Sequence, residues 1–115
     1  ITFFLMSASL SKKYSKHISS NAILLECMNE AIREAINNAI KHASATNISI
    51  SISDLTGNLI TLEVINNVMK SESSSSADKG LGSKIYDEIC QSWKLEQGKL
   101  ESTLIATFAV DQSLA

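Results

Sequence analysis

The stretch Glu34-Ala35-Ile36-Asn37-Asn38-Ala39-Ile40-Lys41-His42-Ala43 is followed, three residues on, by Asn47-Ile48-Ser49-Ile50-Ser51-Ile52-Ser53. Two hydrophobic periods stand back to back. The first is helical: from Ser20 to Ala43 there is no glycine and, apart from isoleucine, little β-branching, and Ser20 or Asn21 is placed to cap the amino end. At the helical repeat, Leu25, Met28, Ile32, Ala35, Ile36, Ala39, Ile40 and Ala43 gather on one face, with Glu30, Glu34, Asn38, Lys41 and His42 roughly opposite. The second period is two, apolar and serine in strict alternation, which predicts a half-buried strand with serine toward water.

Downstream, Asp54-Leu55-Thr56-Gly57-Asn58 supplies turn chemistry, and Leu59 to Ile65 returns as a strand with Ile60, Leu62 and Val64 on one side, completing a hairpin. Asn67 to Lys79 holds no period and contains Ser73-Ser74-Ser75-Ser76, the composition of a mobile loop, closed by the Gly80-Leu81-Gly82 turn. Ser83 to Ser92 reads as a short amphipathic helix with Ile85, Ile89 and Cys90 inward. Trp93 and Leu95 open another strand, Gln97-Gly98 can turn the chain, and Thr103 to Val110 returns with Leu104, Ala106, Phe108 and Val110 on one face. Helix, hairpin, loop, helix and hairpin predict an α/β two-layer sandwich: a mostly antiparallel mixed sheet with helices on one face. The opening run Ile1-Thr2-Phe3-Phe4-Leu5-Met6 reads as the edge of a longer chain, either a strand that adds to the sheet or a remnant of an upstream segment.

At 115 residues the chain holds one core, and 44% hydrophobic residues are enough to fill it. No apolar run approaches the roughly 18 residues of a membrane span. A net charge of −2 argues against a polyanion or nucleic-acid binder. Cys27 and Cys90 have neither metal-ligand nor redox-motif spacing and read as reduced, buried small hydrophobes. His17, among Lys12, Lys13 and Lys16, reads as surface, and Trp93 as strand packing.

Three features could carry chemistry. Glu34, Asn38 and His42, at i, i+4 and i+8 with Lys41 beside the last, stack a carboxylate, an amide and an imidazole along one ribbon. Spacing alone fits a solvated helix face equally well. The Gly80-Leu81-Gly82 turn ahead of a helix, with Lys79 adjacent, frees backbone amides where a helix dipole attracts phosphate, although two glycines also make an ordinary junction. Asn66-Asn67 at a strand end is either a turn or an amide able to read an adenine edge.

Taken together and in order, these segments resemble the histidine-kinase-like ATPases of the GHKL superfamily. Glu34 to Ala43 is similar to their N box, nearest to that of sensor histidine kinases of the nitrate-sensor type. A hairpin ending where the adenine motif stands, a variable lid, a Gly-x-Gly turn into a helix and a terminal hairpin follow as in that superfamily, from about Asn21 to Val110. The resemblance implies a Bergerat-type fold, Mg²⁺ and ATP as cofactors, Asn38 as the metal ligand, and Glu34 beside the metal's water shell orienting the phosphoryl acceptor. It also implies that Lys41, His42, Lys79, Gly80, Leu81 and Gly82 approach the phosphates and that Asn66 and Thr103 meet the base. Members of the superfamily usually carry Asp and then glycines where this chain has Asn66-Asn67-Val68, and Gly-Thr where it has Ser102-Thr103. An Asn oxygen can still accept from the adenine amine.

By this resemblance residues 1–20 are an edge segment of a larger protein, and 21–115 are the ATP-binding domain with a lid at about 67–80. The implied function is that of the catalytic domain of a two-component sensor histidine kinase, cytoplasmic or the cytosolic part of a membrane-anchored kinase. It would act on the histidine of a separate dimerisation and phosphotransfer domain and, through it, a response regulator, without nucleic-acid or membrane contact. The alternatives are a non-catalytic interaction module with an eroded nucleotide site and an anti-sigma-factor-type serine kinase.

Overall fold

The long helix, α1, runs Ala22–Ala43, and the alternating segment forms a nine-residue strand, Asn47–Leu55. The computed structural model describes residues 3–9, 22–55, 58–69 and 84–110. Within them a five-stranded sheet has the spatial order β1-β2-β3-β5-β4, from β1 (Phe3–Ser9), β2 (Asn47–Leu55), β3 (Leu59–Asn67), β4 (Ser92–Gln97) and β5 (Glu101–Ala109). The pairs β2/β3, β3/β5 and β4/β5 are antiparallel, while β1 lies parallel to β2 with Phe3 opposite Asn47 and Ser9 opposite Ser53. Of the two readings of the opening run, the added strand is the one observed. A second helix, α2, is described over 84–89. It ends before the expected Ser92, because Cys90 N–H closes it on the Tyr86 carbonyl and Ser92 already belongs to β4.

One face of the sheet is the core. Ile48 and Ile50 of β2, Ile60, Leu62 and Val64 of β3, and Leu104, Ala106 and Phe108 of β5 are all buried, and the register sets Ile60 beside Phe108, Leu62 beside Ala106 and Val64 beside Leu104. Alternation therefore survives intact from sequence to sheet. Against this face lies α1, but rotated from the expected orientation. Its buried residues are Leu24, Met28, Ala31, Ala35, Ala39 and Ala43, whereas Leu25 and Ile40 are exposed and Ile32 and Ile36 are half-buried. The reason is steric: a line of alanines lets the helix axis approach the sheet, and the bulkier isoleucines are pushed to the flank, where there is room.

The helix ends with Ser44 in the left-handed region (φ 50°) and Ala45 N–H donating back to the Ala39 carbonyl, 3.0 Å. The end of β3 is stitched to this exit. Asn67 Oδ1 accepts from the Thr46 and Asn47 amides, both at 2.9 Å, and its Nδ2 donates to Thr46 Oγ1 at 2.8 Å. Met69 N–H donates to the Ala43 carbonyl, and Val68 N–H to that of Leu100. Asn67, expected to begin the loop, is thus the last residue of β3. The capping pair Ser20 and Asn21, His17, the Thr56-Gly57 turn and the serine run lie outside the described residues, and of the expected lid 67–80 the described part ends at Met69.

Candidate nucleotide site

Rotation of α1 changes what its polar ribbon faces. Turned by the alanine stripe, the helix sets Glu34, Asn38 and His42 at the border of the core rather than opposite it, all three half-buried, while Lys41 stays exposed. The border is shared with α2. Tyr86, 3% exposed, lies in the neighbourhood of Asn38 and of the Glu34 carboxylate. Burial first, then the Glu34 charge and the nearby Cys90, hold the phenol well above its ordinary range, opposed by the neighbouring Asn38 amide. Tyr86 also packs on Trp93, with ring centroids 5.1 Å apart, and Trp93 Nε1 donates to Asp87 Oδ1 at 2.7 Å. Nothing in the sequence pattern marks Tyr86; it falls between Ile85 and Ile89, the residues its amphipathicity singles out, and only its chemistry, a phenol that must find a partner when buried, points to it.

The second half of the site is the carboxyl end of β3. Asn66 is the one buried polar residue among those described, and it continues the inward row Ile60, Leu62, Val64. Its Nδ2 donates to the Asn67 carbonyl at 3.0 Å. Because Met69 bonds Ala43, Asn66 sits at the end of the molecule where α1 terminates, and Asn38 lies five residues back, about 7–8 Å along the helix axis. The two asparagines of the pair therefore divide: Asn66 looks into the helical layer, and Asn67 is a clamp.

Thr103 is corrected by the register. It pairs with Ile65, on the face turned away from the helices, while its neighbour Ser102 pairs with Asn66 and shares that residue's face. The hydroxyl beside Asn66 is that of Ser102. The inward row Leu104, Ala106, Phe108, followed back by two, reaches Ser102, so the signal was present in the alternation. Lys79, Gly80, Leu81 and Gly82 lie outside the described residues.

Elsewhere, a shallow groove of about 390 Å³ lined by Glu26, Cys27, Asn29, Glu30, Arg33 and Ile89 runs beside the amino-terminal half of α1. Two of its three charged side chains, Glu30 and Arg33, form an exposed pair at 3.1 Å, and the Asn38 and Tyr86 side chains are not part of the groove. Both cysteines are free thiols that pack at the core's edge, and burial, with Cys27 and Asp87 nearby, pushes the Cys90 thiol up to about 11. No group of three or more His, Cys, Asp or Glu that could hold a metal ion by itself occurs among the described residues. No helix among them is long and apolar enough to cross a membrane.

No family model matches the sequence, and no curated protein is detectably similar to it. Solved structures are. The blue-light activated histidine kinase of Erythrobacter litoralis EL346 superposes with a TM-score of 0.64 at 13% identity over 97% of this chain, which spans 37% of that one. The catalytic domain of the histidine kinase ThkA, in a nucleotide-free form, gives 0.57 at 13% identity over 93% of this chain and 79% of its own. The Acinetobacter baumannii histidine kinase AdeS gives 0.57 at 11% identity over 95% of this chain and 55% of its own. The chain has the α/β sandwich fold of these proteins.

Proposed function

We propose that this domain binds Mg²⁺-ATP and donates the γ-phosphoryl group to a histidine carried by a separate dimerisation domain, as the catalytic domain of a sensor histidine kinase in a two-component pathway. The observation that carries the reading is the pairing of Glu34 and Asn38, half-buried on the flank of α1 and facing the element that follows the glycine turn, on a fold shared with histidine kinases. A solvated helix face would leave both side chains in water.

The residues present fit the metal. Asn38, half-buried on the flank of α1, carries a neutral amide oxygen of the kind that can ligate the ion. Magnesium takes oxygen ligands, keeps several waters and is commonly held by one or two side chains together with phosphates, so a site without a cluster of protein ligands is in keeping with it. When bound, the ion supplies charge neutralisation across the β- and γ-phosphates. Glu34, one turn before Asn38, would stand beside the metal's water shell and orient the incoming imidazole. Lys41 and His42 extend the positive end of the ribbon toward the phosphates, joined by Lys79 and the amides of the Gly80-Leu81-Gly82 turn. Positioning and charge compensation of this kind account for most phosphoryl-transfer catalysis.

At the base end, Asn66 takes the part usually played by an aspartate. With its Nδ2 engaged by the Asn67 carbonyl, the half that can meet the exocyclic amine of adenine is Oδ1, the half with the right polarity. Ser102, on the same face, supplies a hydroxyl next to it. Titration with a fluorescent ATP analogue, with and without Mg²⁺, is the test; no binding at millimolar nucleotide overturns the reading and spares the fold. With binding in hand, adding a helical hairpin that carries an acceptor histidine should yield acid-labile phosphate, whereas acid-stable phosphate on a serine acceptor would move the domain to the anti-sigma-factor-type kinases.

One observation favours a second reading, a non-catalytic module with an eroded site. The segment Asn66-Asn67-Val68 has no carboxylate and no glycine, and Asn67 is committed to the loop after α1. Asn66→Asp separates the two: a gain of tenfold or more in ATP affinity, of order 1.4 kcal/mol, indicates erosion, and little change indicates a working asparagine.

A further inference from the structure

The sheet ends on one side at β4, which among the described residues has a neighbour only in β5. Five of its six residues are exposed and Trp93 alone is half-buried, so the outer rim of this strand is open to solvent. Which backbone groups the rim offers follows from the turn. Gly98 N–H donates to the Glu101 carbonyl at 2.9 Å, and a Cβ at Gly98 would come 2.9 Å from that same oxygen, so glycine is what lets the pair close. Gly98 and Glu101 are thus a hydrogen-bonded pair, one step beyond the register that sets Gln97 opposite Ser102 and Ser92 opposite Thr107. Antiparallel ladders alternate. Glu96, Lys94 and Ser92 therefore bond to β5, and the N–H and C=O groups of Gln97, Leu95 and Trp93 point outward.

Side-chain charge on the rim comes in opposite signs. Lys94 and Glu96 pair with Ile105 and Thr103 and share the face away from the helices, where they bond each other at 2.8 Å with 70% and 59% of their side chains exposed. Charges on an edge strand usually keep a second strand away. These two select one. A second copy of β4, laid antiparallel and centred on Leu95, sets Lys94 of each copy opposite Glu96 of the other. The same centre joins Leu95 to Leu95 and Trp93 to Gln97 through the outward backbone groups, about six hydrogen bonds in all. On the helix side the Leu95 side chains, each 41% exposed, meet across the axis. Moving the centre by one residue puts Lys94 against Lys94 or Glu96 against Glu96, and like charges directly opposite are destabilising.

We infer that the β4 edge is a homodimer interface: two copies of the chain pair antiparallel about Leu95 and join their five-stranded sheets into one. The inference does not depend on nucleotide binding. One short strand buries little area, so the dimer is weak, half-formed at on the order of 100 μM chain.

The test is sedimentation of the chain from about 1 μM to about 1 mM, where the wild type should pass from monomer to dimer. Glu96→Lys and Lys94→Glu each create like-charge pairs twice over by symmetry, and each should weaken dimerisation by about tenfold or more. Both positions are exposed, so neither variant should lose its fold. Mixing the Glu96→Lys protein with the Lys94→Glu protein should restore association to within about threefold of the wild type, because each then offers the sign that the other lacks. Amide exchange reads the register. The amides of Trp93, Leu95 and Gln97 should exchange freely in dilute protein and slow about fivefold at ten times the midpoint concentration, while those of Lys94 and Glu96 are protected at both. A chain that is monomeric throughout, a dimer indifferent to both variants, or a mixture that does not recover what each variant lost overturns the proposal. So does protection of the Leu95 amide in the dilute monomer, which would mean that another segment already lies on this edge.

Discussion

A single hydroxyl can be well placed or badly placed by one position, and this molecule holds both cases. Thr61 Oγ1 is fully buried on the face of the sheet away from the helices and has no hydrogen-bond partner among the described residues, although the register sets it between Ser53 and Thr107. Thr107 looks the other way, bonding Ser92. Thr61→Val keeps the β-branched shape and removes the orphaned oxygen, so it should raise the unfolding free energy by about 1 kcal/mol in urea titrations. Asn67 is the opposite case, with three side-chain hydrogen bonds to one loop. Asn67→Ala should cost about 1–3 kcal/mol by the same measurement, chiefly through the amides it leaves unpaired. Cys90 adds a pH dependence. Its folded pKa lies near 11, above that of an unfolded thiol, so the native state holds the proton more tightly; the resulting stabilisation is complete below the unfolded pKa and fades as pH rises from about 9 toward 11. Cys90→Ala should flatten that decline in unfolding experiments across the window. None of the three roles is legible from residue type: Asn67 follows an asparagine with a different task, and what separates Asn66 from Asn67 is which side of β3 each faces.

Among the elements, strands were easier to read than helices, for a geometric reason. A period of two leaves only two faces, and a run such as Ile48, Ile50, Ile52 identifies the inner one outright. Even so, a shift of one residue inverts the assignment: Thr103, expected at the base from the family's Gly-Thr, pairs with Ile65, and it is Ser102 that shares the face of Asn66. A helix offers a continuum of orientations. On α1 two stripes compete, one rich in isoleucine and one in alanine, and hydrophobicity favours the first while close packing favours the second. The outcome bears on the proposed site, because the observed rotation sets Asn38 and Glu34 at the border shared with α2. Substitution reports it directly. Ala31 is 0% exposed against the sheet, so Ala31→Leu should force the helix outward and lower stability by about 1–3 kcal/mol, whereas Ile40→Ser, on the exposed flank, should change it by well under 1 kcal/mol in thermal unfolding. Equal losses at the two positions would restore the isoleucine-inward orientation and separate Asn38 from α2.

For the molecule as a whole, the decisive feature is which edge of the sheet is covered. Without β1, the long strand β2 would present a row of unpaired amides and carbonyls, flanked by Ile48, Ile50 and Ile52, and such an edge templates pairing with another chain. The parallel pairing from Phe3–Asn47 to Ser9–Ser53 fills that row along most of its length. The opening run has no alternation of polar and apolar residues, and with only its hydrophobicity to go on the sequence leaves a strand and a remnant equally open; the choice is made by the edge that β2 offers, a property of the assembled sheet. β2 lies between β1 and β3, the strand that carries Asn66, so β1 reaches the Asn38 and Asn66 region only through β2. Removal of residues 1–9 should therefore lower the unfolding midpoint and produce concentration-dependent dimers or larger species in light scattering, while metal-dependent nucleotide binding by the remaining monomer stays within about threefold, a change of roughly 0.6 kcal/mol. A truncated chain that stays monomeric with an unaltered midpoint would mean that β1 does not pair with β2. One that stays monomeric and folded but loses binding would mean that the site extends to the far edge of the sheet.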